Sequence, residues 1–163
     1  MRARRTVLLT PAICLTLLIG CGPNFEQMKS DAQEALSVGD FTQAQEIASE
    51  ALEGAPASEK RLLWALERIR LEALARDNQG EQVRETLERL AAEYPTQAGA
   101  PLYLAIASYL RDAGGSSSAI DILVAGDERF PEQSEEFKAM IDEMESGGLD
   151  PADIERLKSL GYL

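Results

Sequence analysis

Residues 39–56 read GDFTQAQEIASEALEGAP and contain the clearest helix pattern of the chain. The apolar side chains recur at Phe41, Ala44, Ile47, Ala48, Ala51 and Leu52. This spacing places them on one face of a helix. Pro56 ends the pattern, because proline lacks the amide hydrogen of a helical residue. The stretch therefore predicts an amphipathic helix whose apolar face must be buried against a neighbour.

The same pattern returns twice later in the chain. The equivalent apolar positions are Val83, Leu87, Leu90 and Ala91 before Pro95, and Ala119, Ile120, Leu123 and Val124 before Pro131. The three closing prolines are 39 and 36 residues apart, and Ala44, Val83 and Ala119 keep both intervals. A further helix is predicted before each of these, at residues 25–38, 59–76 and 101–112. The sequence thus contains an internal repeat of helix pairs.

The predicted fold class is all-α, a short α-solenoid of three helix-turn-helix units at residues 25–58, 59–97 and 98–131. A single pair cannot bury its apolar face alone, whereas stacked pairs can. Residues 132–163 are expected to cap the stack. One capping helix, residues 132–145, carries Phe137, Met140, Ile141 and Met144 on one face, and Gly147 and Gly148 are expected to interrupt the chain after it.

A last helix is predicted to start at Asp150 and Pro151, with Asp153 in its first turn, and to end at Gly161. The stretch from Leu157 to Leu163 is unusually apolar. We expect Ile154, Leu157 and Leu160 to pack on the cap. Earlier in the chain, residues 114–118 read GGSSS and are interpreted as an inter-helix turn with a serine cap, since the lysine of a phosphate-binding loop is missing.

The repeat resembles the tetratricopeptide repeat, whose pattern is W-x₂-L-G-x₂-Y, then A-x₃-F, then P, over about 34 residues. The first unit matches best in its second helix, at Ala44, Ala48, Ala51 and Pro56. The first-helix positions are occupied by Met28, Asp31, Ala32 and Ala35 in the first unit and by Tyr103, Ile106, Ala107 and Leu110 in the third. The second unit departs most, with Glu67 and Arg70 where tryptophan and leucine are expected.

In tetratricopeptide proteins the first helices line a concave groove. The resemblance assigns to this groove Lys29, Gln33, Leu36, Arg68, Glu72, Arg76, Leu104, Ser108 and Arg111. Four of these are basic in an acidic chain, which favours an acidic or C-terminal peptide of an envelope protein as the partner. The alternative is that Arg68, Glu72 and Arg76 form an intrahelical ladder of ion pairs without a ligand.

Residues 1–20 are typical of an export signal. Arg2, Arg4 and Arg5 precede an apolar stretch at residues 7–19, which is too short to span a bilayer. Residues 18–21 read LIGC and resemble the lipobox of bacterial lipoproteins. The resemblance implies that Cys21 becomes the lipidated N-terminus, followed by a short linker to residue 24. Because Gly22 is not the aspartate of inner-membrane retention, it implies an anchor at the periplasmic face of the outer membrane. A cleaved signal with an incidental cysteine, or an uncleaved anchor, is the alternative.

The amino-acid composition argues against several classes of function. The chain has no histidine, the commonest general base at neutral pH. Removing the leader takes away three arginines and changes the formal net charge from −12 to −15, which disfavours nucleic acid as a partner. Nine acidic residues against Lys138 in residues 132–155 are interpreted as a solvated face rather than a metal or catalytic site. No cofactor beyond the lipid on Cys21 is expected.

The predicted function is that of a non-enzymatic, lipid-anchored scaffold or assembly factor in the cell envelope. It reaches the membrane through its lipid and binds a protein through its helices. Two alternatives stay open: an enzyme or small-ligand receptor that uses carboxylates alone, and a passive structural spacer.

Overall fold

The computed structural model of the protein describes residues 23–163. The predicted leader and Cys21 lie outside this part of the chain. Its helices are α1 (Phe25–Ser37), α2 (Phe41–Gly54), α3 (Lys60–Arg76), α4 (Gly80–Glu93), α5 (Ala100–Asp112), α6 (Ser116–Arg129), α7 (Ser134–Gly148) and α8 (Pro151–Leu160). A 3₁₀ turn, Pro131–Gln133, joins α6 to α7. Between residues 23 and 163 there is no strand, and the prediction of an all-α fold of stacked helix pairs with C-terminal helices is confirmed.

The turns inside the first three pairs have one geometry. Gly39, Asn78 and Gly114 adopt the left-handed conformation, with φ of 84°, 56° and 84°. After each, an amide donates to the carbonyl five residues earlier: Asp40 to Ala35 at 2.9 Å, Gln79 to Leu74 at 2.9 Å and Gly115 to Leu110 at 2.8 Å. This is the pattern of a helix end closed by a left-handed residue. The 39- and 36-residue intervals between equivalent sequence positions therefore also separate equivalent turns of the backbone.

The burial pattern continues into the C-terminal helices with a third interval of 34 residues. Gly148 has φ of 93° and lies 34 residues after Gly114. Ile141 and Leu157 lie 34 residues after Ala107 and Leu123, and all four are 0% exposed. The helices α7 and α8 thus repeat the buried positions of the preceding pair. They form a fourth helix pair in register with the first three.

Three local expectations are corrected by the structure. Leu157 is buried as expected, but Leu160 is 47% exposed, because no helix follows α8 in the described part of the chain to cover it. Gly147 and Gly148 do not interrupt α7, which runs through both and ends at Gly148. No serine caps α6, because Gly115 occupies the capping position without a side-chain bond and Ser117 donates to Asp153 instead. By contrast, Asp150 caps α8 by accepting from the Ala152 amide at 2.7 Å, and Gly161 closes that helix with φ of 81°, as predicted.

The helices alternate in direction. Arg76, the last residue of α3, meets Tyr109 near the end of α5, so these two first helices are parallel. Arg111 reaches Glu143 near the end of α7 in the same way. Among the second helices, Gln79 at the start of α4 donates to Gln45 near the start of α2. Likewise Ser117 near the start of α6 donates to Asp153 near the start of α8.

This alternation gives the stack two edges. The turn edge carries the connections within pairs, residues 38–40, 77–79, 113–115 and 149–150. The loop edge carries the start of α1, the connections between pairs at residues 55–59, 94–99 and 130–133, and residues 161–163 after α8. None of the helices in the described range is both long and apolar enough to cross a membrane.

Candidate functional site

The predicted groove residues lie on α1, α3 and α5, which pack side by side. Lys29, Arg68 and Leu104 occupy one equivalent position of the three helices, and Gln33, Glu72 and Ser108 occupy the next position on the same face. Gln33, Arg68 and Arg76 are exposed, and Lys29, Glu72, Leu104, Ser108 and Arg111 are partly buried. The structure therefore places eight of the nine predicted residues where a partner can approach.

Leu36 is the exception. It is 6% exposed and belongs to the core cluster that also contains Ala32, Ala44 and Leu66. The core of the first pair consists largely of alanines, so a larger side chain is needed to fill the space between helices. The expectation that Leu36 offers an apolar contact to a peptide is therefore not met.

Most of the groove cations already contact carboxylates. Lys29 pairs with Glu26 one turn earlier. Arg76 donates from Nε to Glu72 at 2.8 Å. Arg111 pairs with Asp112 at 3.1 Å and with Glu143 at 3.0 Å. These contacts match the intrahelical alternative in part, since the Arg76–Glu72 pair is an i, i+4 pair.

Arg68 differs from the other three cations. It is exposed near the middle of α3, and within residues 23–163 no carboxylate pairs with it. A guanidinium in this state keeps its full set of donors for an incoming carboxylate. Among the predicted groove cations, Arg68 is therefore the one with no internal ion pair to break before a carboxylate could bind.

A cleft of about 260 Å³ opens on the turn edge beside the groove. It is lined by Phe41, Arg76, Tyr109, Asp112 and Ala113. The guanidinium carbon of Arg76 lies 4.3 Å from the centroid of the Tyr109 ring. Partial burial by itself lowers the pKa of Arg76, but the charge and hydrogen bond of Glu72 and the hydroxyl of Tyr109 outweigh it and raise the pKa above its usual value. The cleft thus combines a permanent cation with two aromatic side chains.

Sequence reasoning did not identify Phe41 and Tyr109 as residues that line this cleft, although Phe41 also packs against the core as predicted. Phe41 was assigned to the apolar face of α2. Tyr109 lies between the core positions and the groove positions of α5, so the helical spacing of apolar residues does not assign it to either face. The available signal was its position next to Ser108, which the resemblance placed in the groove. The contact of Tyr109 with Arg76 depends on how α3 and α5 pack, so no local sequence pattern predicts it.

A second cleft, also of about 260 Å³, lies between the ends of α5 and α7. Arg111, Ser116, Glu143, Met144, Gly147, Gly148 and Leu149 line it. Ser108 lies 3.4 Å from the Arg111 guanidinium, so these two predicted residues are brought together. The glycines leave the cleft open, because neither has a side chain to fill it.

Glu67 explains why the second unit departs from the repeat pattern. It stands where tryptophan is expected and is 6% exposed. Its carboxylate accepts from Arg70 at 3.0 Å and from Arg89 of α4 at 2.7 Å, and Arg89 also donates to Glu93 at 2.9 Å. A buried ion-pair network therefore occupies the place of an aromatic side chain between α3 and α4.

The acidic residues of the last two helices form no metal centre. Within residues 23–163, no three aspartate, glutamate, cysteine or histidine side chains are grouped so as to hold a metal ion. Asp153 is the buried member of this set, at 6% exposure, and it accepts from Ser117 at 2.8 and 2.9 Å. Its role in the fold is to attach α8 to α6.

Comparison with known proteins gives no match to a protein-family model, to a curated protein or to a solved structure.

Proposed function

We propose that this protein is a lipid-anchored, tetratricopeptide-like scaffold or assembly factor of the cell envelope. It binds a protein partner on the groove face of its first helices. The observation that supports this best is the alignment of polar groove positions across α1, α3 and α5, with Arg68 exposed among them and without an internal carboxylate partner in the described part of the chain.

The geometry favours a protein partner over a small molecule. Stacked helix pairs present an extended surface along the stack, which suits a long ligand that contacts several units. Arginine and tyrosine are the residue types that contribute most to binding at protein interfaces, and Arg76 and Tyr109 form such a pair beside the groove. Both clefts next to this face are open to solvent rather than enclosed.

The charges favour an acidic segment or a C-terminal peptide of an envelope protein. Arg68 offers two parallel donors to a carboxylate. Arg76 and Arg111 contribute less, because a ligand carboxylate competes with Glu72 and Glu143 for them. We therefore expect Arg68 to dominate affinity and Lys29, at the rim, to act mainly on the association rate.

The anchor is proposed from the sequence. The leader and the LIGC segment support lipidation of Cys21 and attachment to the periplasmic face of the outer membrane. Replacing Cys21 with serine in the full chain should abolish incorporation of labelled palmitate. The matched variant Cys14→Ser, inside the leader, should retain it. Palmitate on Cys21→Ser, or its loss from Cys14→Ser, contradicts the anchor.

In-cell crosslinking tests the binding face. A photoreactive benzoylphenylalanine at Gln33, which is exposed on the groove face of α1, should give one discrete crosslinked species in native cells. Arg68→Glu in the same protein should abolish that species, whereas Arg84→Glu on α4 should leave it intact. Arg84 is the matched control because it is an exposed arginine outside the first helices. Persistence with Arg68→Glu, in a folded and anchored protein, contradicts the proposed face.

A further inference from the structure

Two of the three large apolar side chains that are most exposed in residues 23–163 lie three residues apart, at the end of α8 and just after it. They are Leu160, 47% exposed, and Leu163, 37% exposed. Leu160 occupies the position equivalent to Ala51, Leu90 and Gly126, which are buried in the first three pairs. Gly126, for example, is covered by the Phe137 ring of the following first helix. No helix follows α8 in the described part of the chain, so Leu160 stays uncovered.

The direction of α8 places these leucines on the loop edge. Ser117 near the start of α6 contacts Asp153 near the start of α8, and Asp127 near the end of α6 accepts from the hydroxyl of Tyr162 at 2.6 Å. The two helices are therefore parallel, and residues 160–163 lie beside the end of α6. Because α1 runs in the opposite direction, its start belongs to the same edge.

The length of chain before α1 fixes which edge stays near an anchor on Cys21. Four residue steps separate Cys21 from Phe25, and an extended chain covers at most about 14 Å over that distance. The helix α1 has 13 residues, so the turn edge lies about 20 Å farther along its axis. A lipid on Cys21 thus holds the loop edge close to the bilayer.

The loop edge also carries charges that suit a zwitterionic headgroup. A cleft of about 440 Å³ there is lined by Glu26, Ser58, Glu59, Lys60, Arg61 and Leu62. Lys60 and Arg61 are both exposed and can meet a lipid phosphate, while Glu26 and Glu59 can meet an ammonium group. A surface without net charge does not repel a domain this acidic, whereas an anionic surface does.

We infer that the loop edge lies against the surface of a zwitterionic phospholipid bilayer, with Leu160 and Leu163 in the headgroup region, and that the turn edge faces away from it. This inference depends on the proposed lipid anchor. It leaves the cleft of Arg76 and Tyr109 open to partners on the side remote from the membrane.

Fluorescence quenching of the lipidated protein tests the orientation. Lipidation consumes the thiol of Cys21 and cleavage removes Cys14, so a single introduced cysteine takes the dye. Thr96→Cys and Ser159→Cys report on the loop edge, and Val38→Cys reports on the turn edge. In vesicles of phosphatidylcholine and phosphatidylethanolamine that contain a headgroup-labelled quencher lipid, we expect about twofold lower fluorescence at 96 and 159 than at 38.

Four results separate the possible failures. Equal quenching at all three positions, in protein that floats with the vesicles, overturns the orientation but leaves the anchor intact. Protein that does not float overturns the anchor. Leu160→Ser together with Leu163→Ser should reduce quenching at 159, whereas the matched control Val38→Ser should not; an unchanged signal overturns the role of the leucines. If the Cys21→Ser protein, purified in detergent, forms dimers that Leu160→Ser abolishes, the leucines bind a second copy and the inference fails.

Discussion

Arg76 of α3 stacks on Tyr109 of α5, with its guanidinium carbon 4.3 Å from the ring centroid. The contact joins the second and third helix pairs at the turn edge. Arg76 is held from the other side by Glu72, whose carboxylate accepts from its Nε. The side chain is therefore fixed between an acid on its own helix and an aromatic ring on the next, and it presents its remaining donors to the cleft.

A double-mutant cycle should measure this contact. Arg76→Met and Tyr109→Leu should each destabilise the Cys21→Ser protein in urea unfolding. Because both side chains are partly exposed, we expect a coupling free energy of about 0.5–1 kcal/mol. Strictly additive effects of the two substitutions contradict a direct interaction.

Gly126 should be intolerant of even a methyl group. A Cβ atom at this position would lie 2.3 Å from the Phe137 ring, and Phe137 is itself 0% exposed and cannot move into solvent. Gly126→Ala should therefore lower the free energy of unfolding by about 1–3 kcal/mol.

Gly147 in α7 is the matched control, because a Cβ there meets nothing within 4 Å. Gly147→Ala should raise the free energy of unfolding by about 0.5–1 kcal/mol, since alanine restricts the unfolded chain and favours helix. Equal effects of the two substitutions in urea titrations would mean that α6 and α7 do not approach as closely as the structure indicates.

Glu67 should matter more for stability than an exposed glutamate. Glu67→Gln removes the charge that Arg70 and Arg89 share, while a side-chain acceptor remains. The two arginine side chains are 25% and 36% exposed, so solvent offsets part of the loss. We expect a cost of about 1–2 kcal/mol in urea unfolding, below that of a fully buried pair. Glu88→Gln, whose pair with Arg84 is exposed, should give no measurable change.

The order of the helices and their repeat could be predicted because the signals are local. Proline positions and apolar spacing depend on neighbours in the chain, and they located α1 to α6 within a few residues. The fourth pair was harder to find, because Asp153 stands where Ala44, Val83 and Ala119 are buried. A carboxylate at a core position interrupts the apolar pattern in the sequence. Only the packed structure shows that Ser117 donates a hydrogen bond to this carboxylate.

The candidate site was predictable only in part. Equivalent positions on α1, α3 and α5 follow from the repeat, so Lys29, Arg68 and Leu104 could be grouped from the sequence. The burial of Leu36 and the exposure of Leu160 depend on which helix covers each side chain, and the sequence alone does not give that information. Ion pairs across helices, such as that of Arg111 with Glu143, likewise require tertiary packing.

The bond between Tyr162 and Asp127 should make the attachment of the tail depend on pH. Burial by itself raises the pKa of Asp127, but hydrogen bonds from Ser134 and Tyr162 and the charge of Lys138 lower the pKa below its usual value. Burial and then Asp127 raise the pKa of Tyr162. The carboxylate therefore contributes stability above its unfolded pKa and loses it as the pH falls through the folded value, whereas the phenol contributes stability below its unfolded pKa.

Tyr162→Phe should consequently cost about 1 kcal/mol at neutral pH. The difference from the parent protein should shrink below a pH of about 4 and again above a pH of about 10. Urea unfolding across the pH range checks this expectation. Asp127→Asn keeps an acceptor but cannot titrate, so it should remove the acid dependence. A difference that is constant with pH contradicts the bond.

Two leucines three residues apart on α8 should respond in opposite ways to truncation. Leu157 is 0% exposed and belongs to the core cluster of the later helix pairs, whereas Leu160 is 47% exposed. Leu157→Ala should therefore lower the free energy of unfolding by about 2–5 kcal/mol through lost apolar contact and a cavity. Leu160→Ala should change it by no more than about 0.5 kcal/mol. Urea unfolding of the Cys21→Ser protein measures both. Binding of a hydrophobic dye should rise only for Leu157→Ala, because only that change loosens α8 from the stack. If Leu160→Ala were as destabilising as Leu157→Ala, Leu160 would be a core residue and would not be available to a membrane surface.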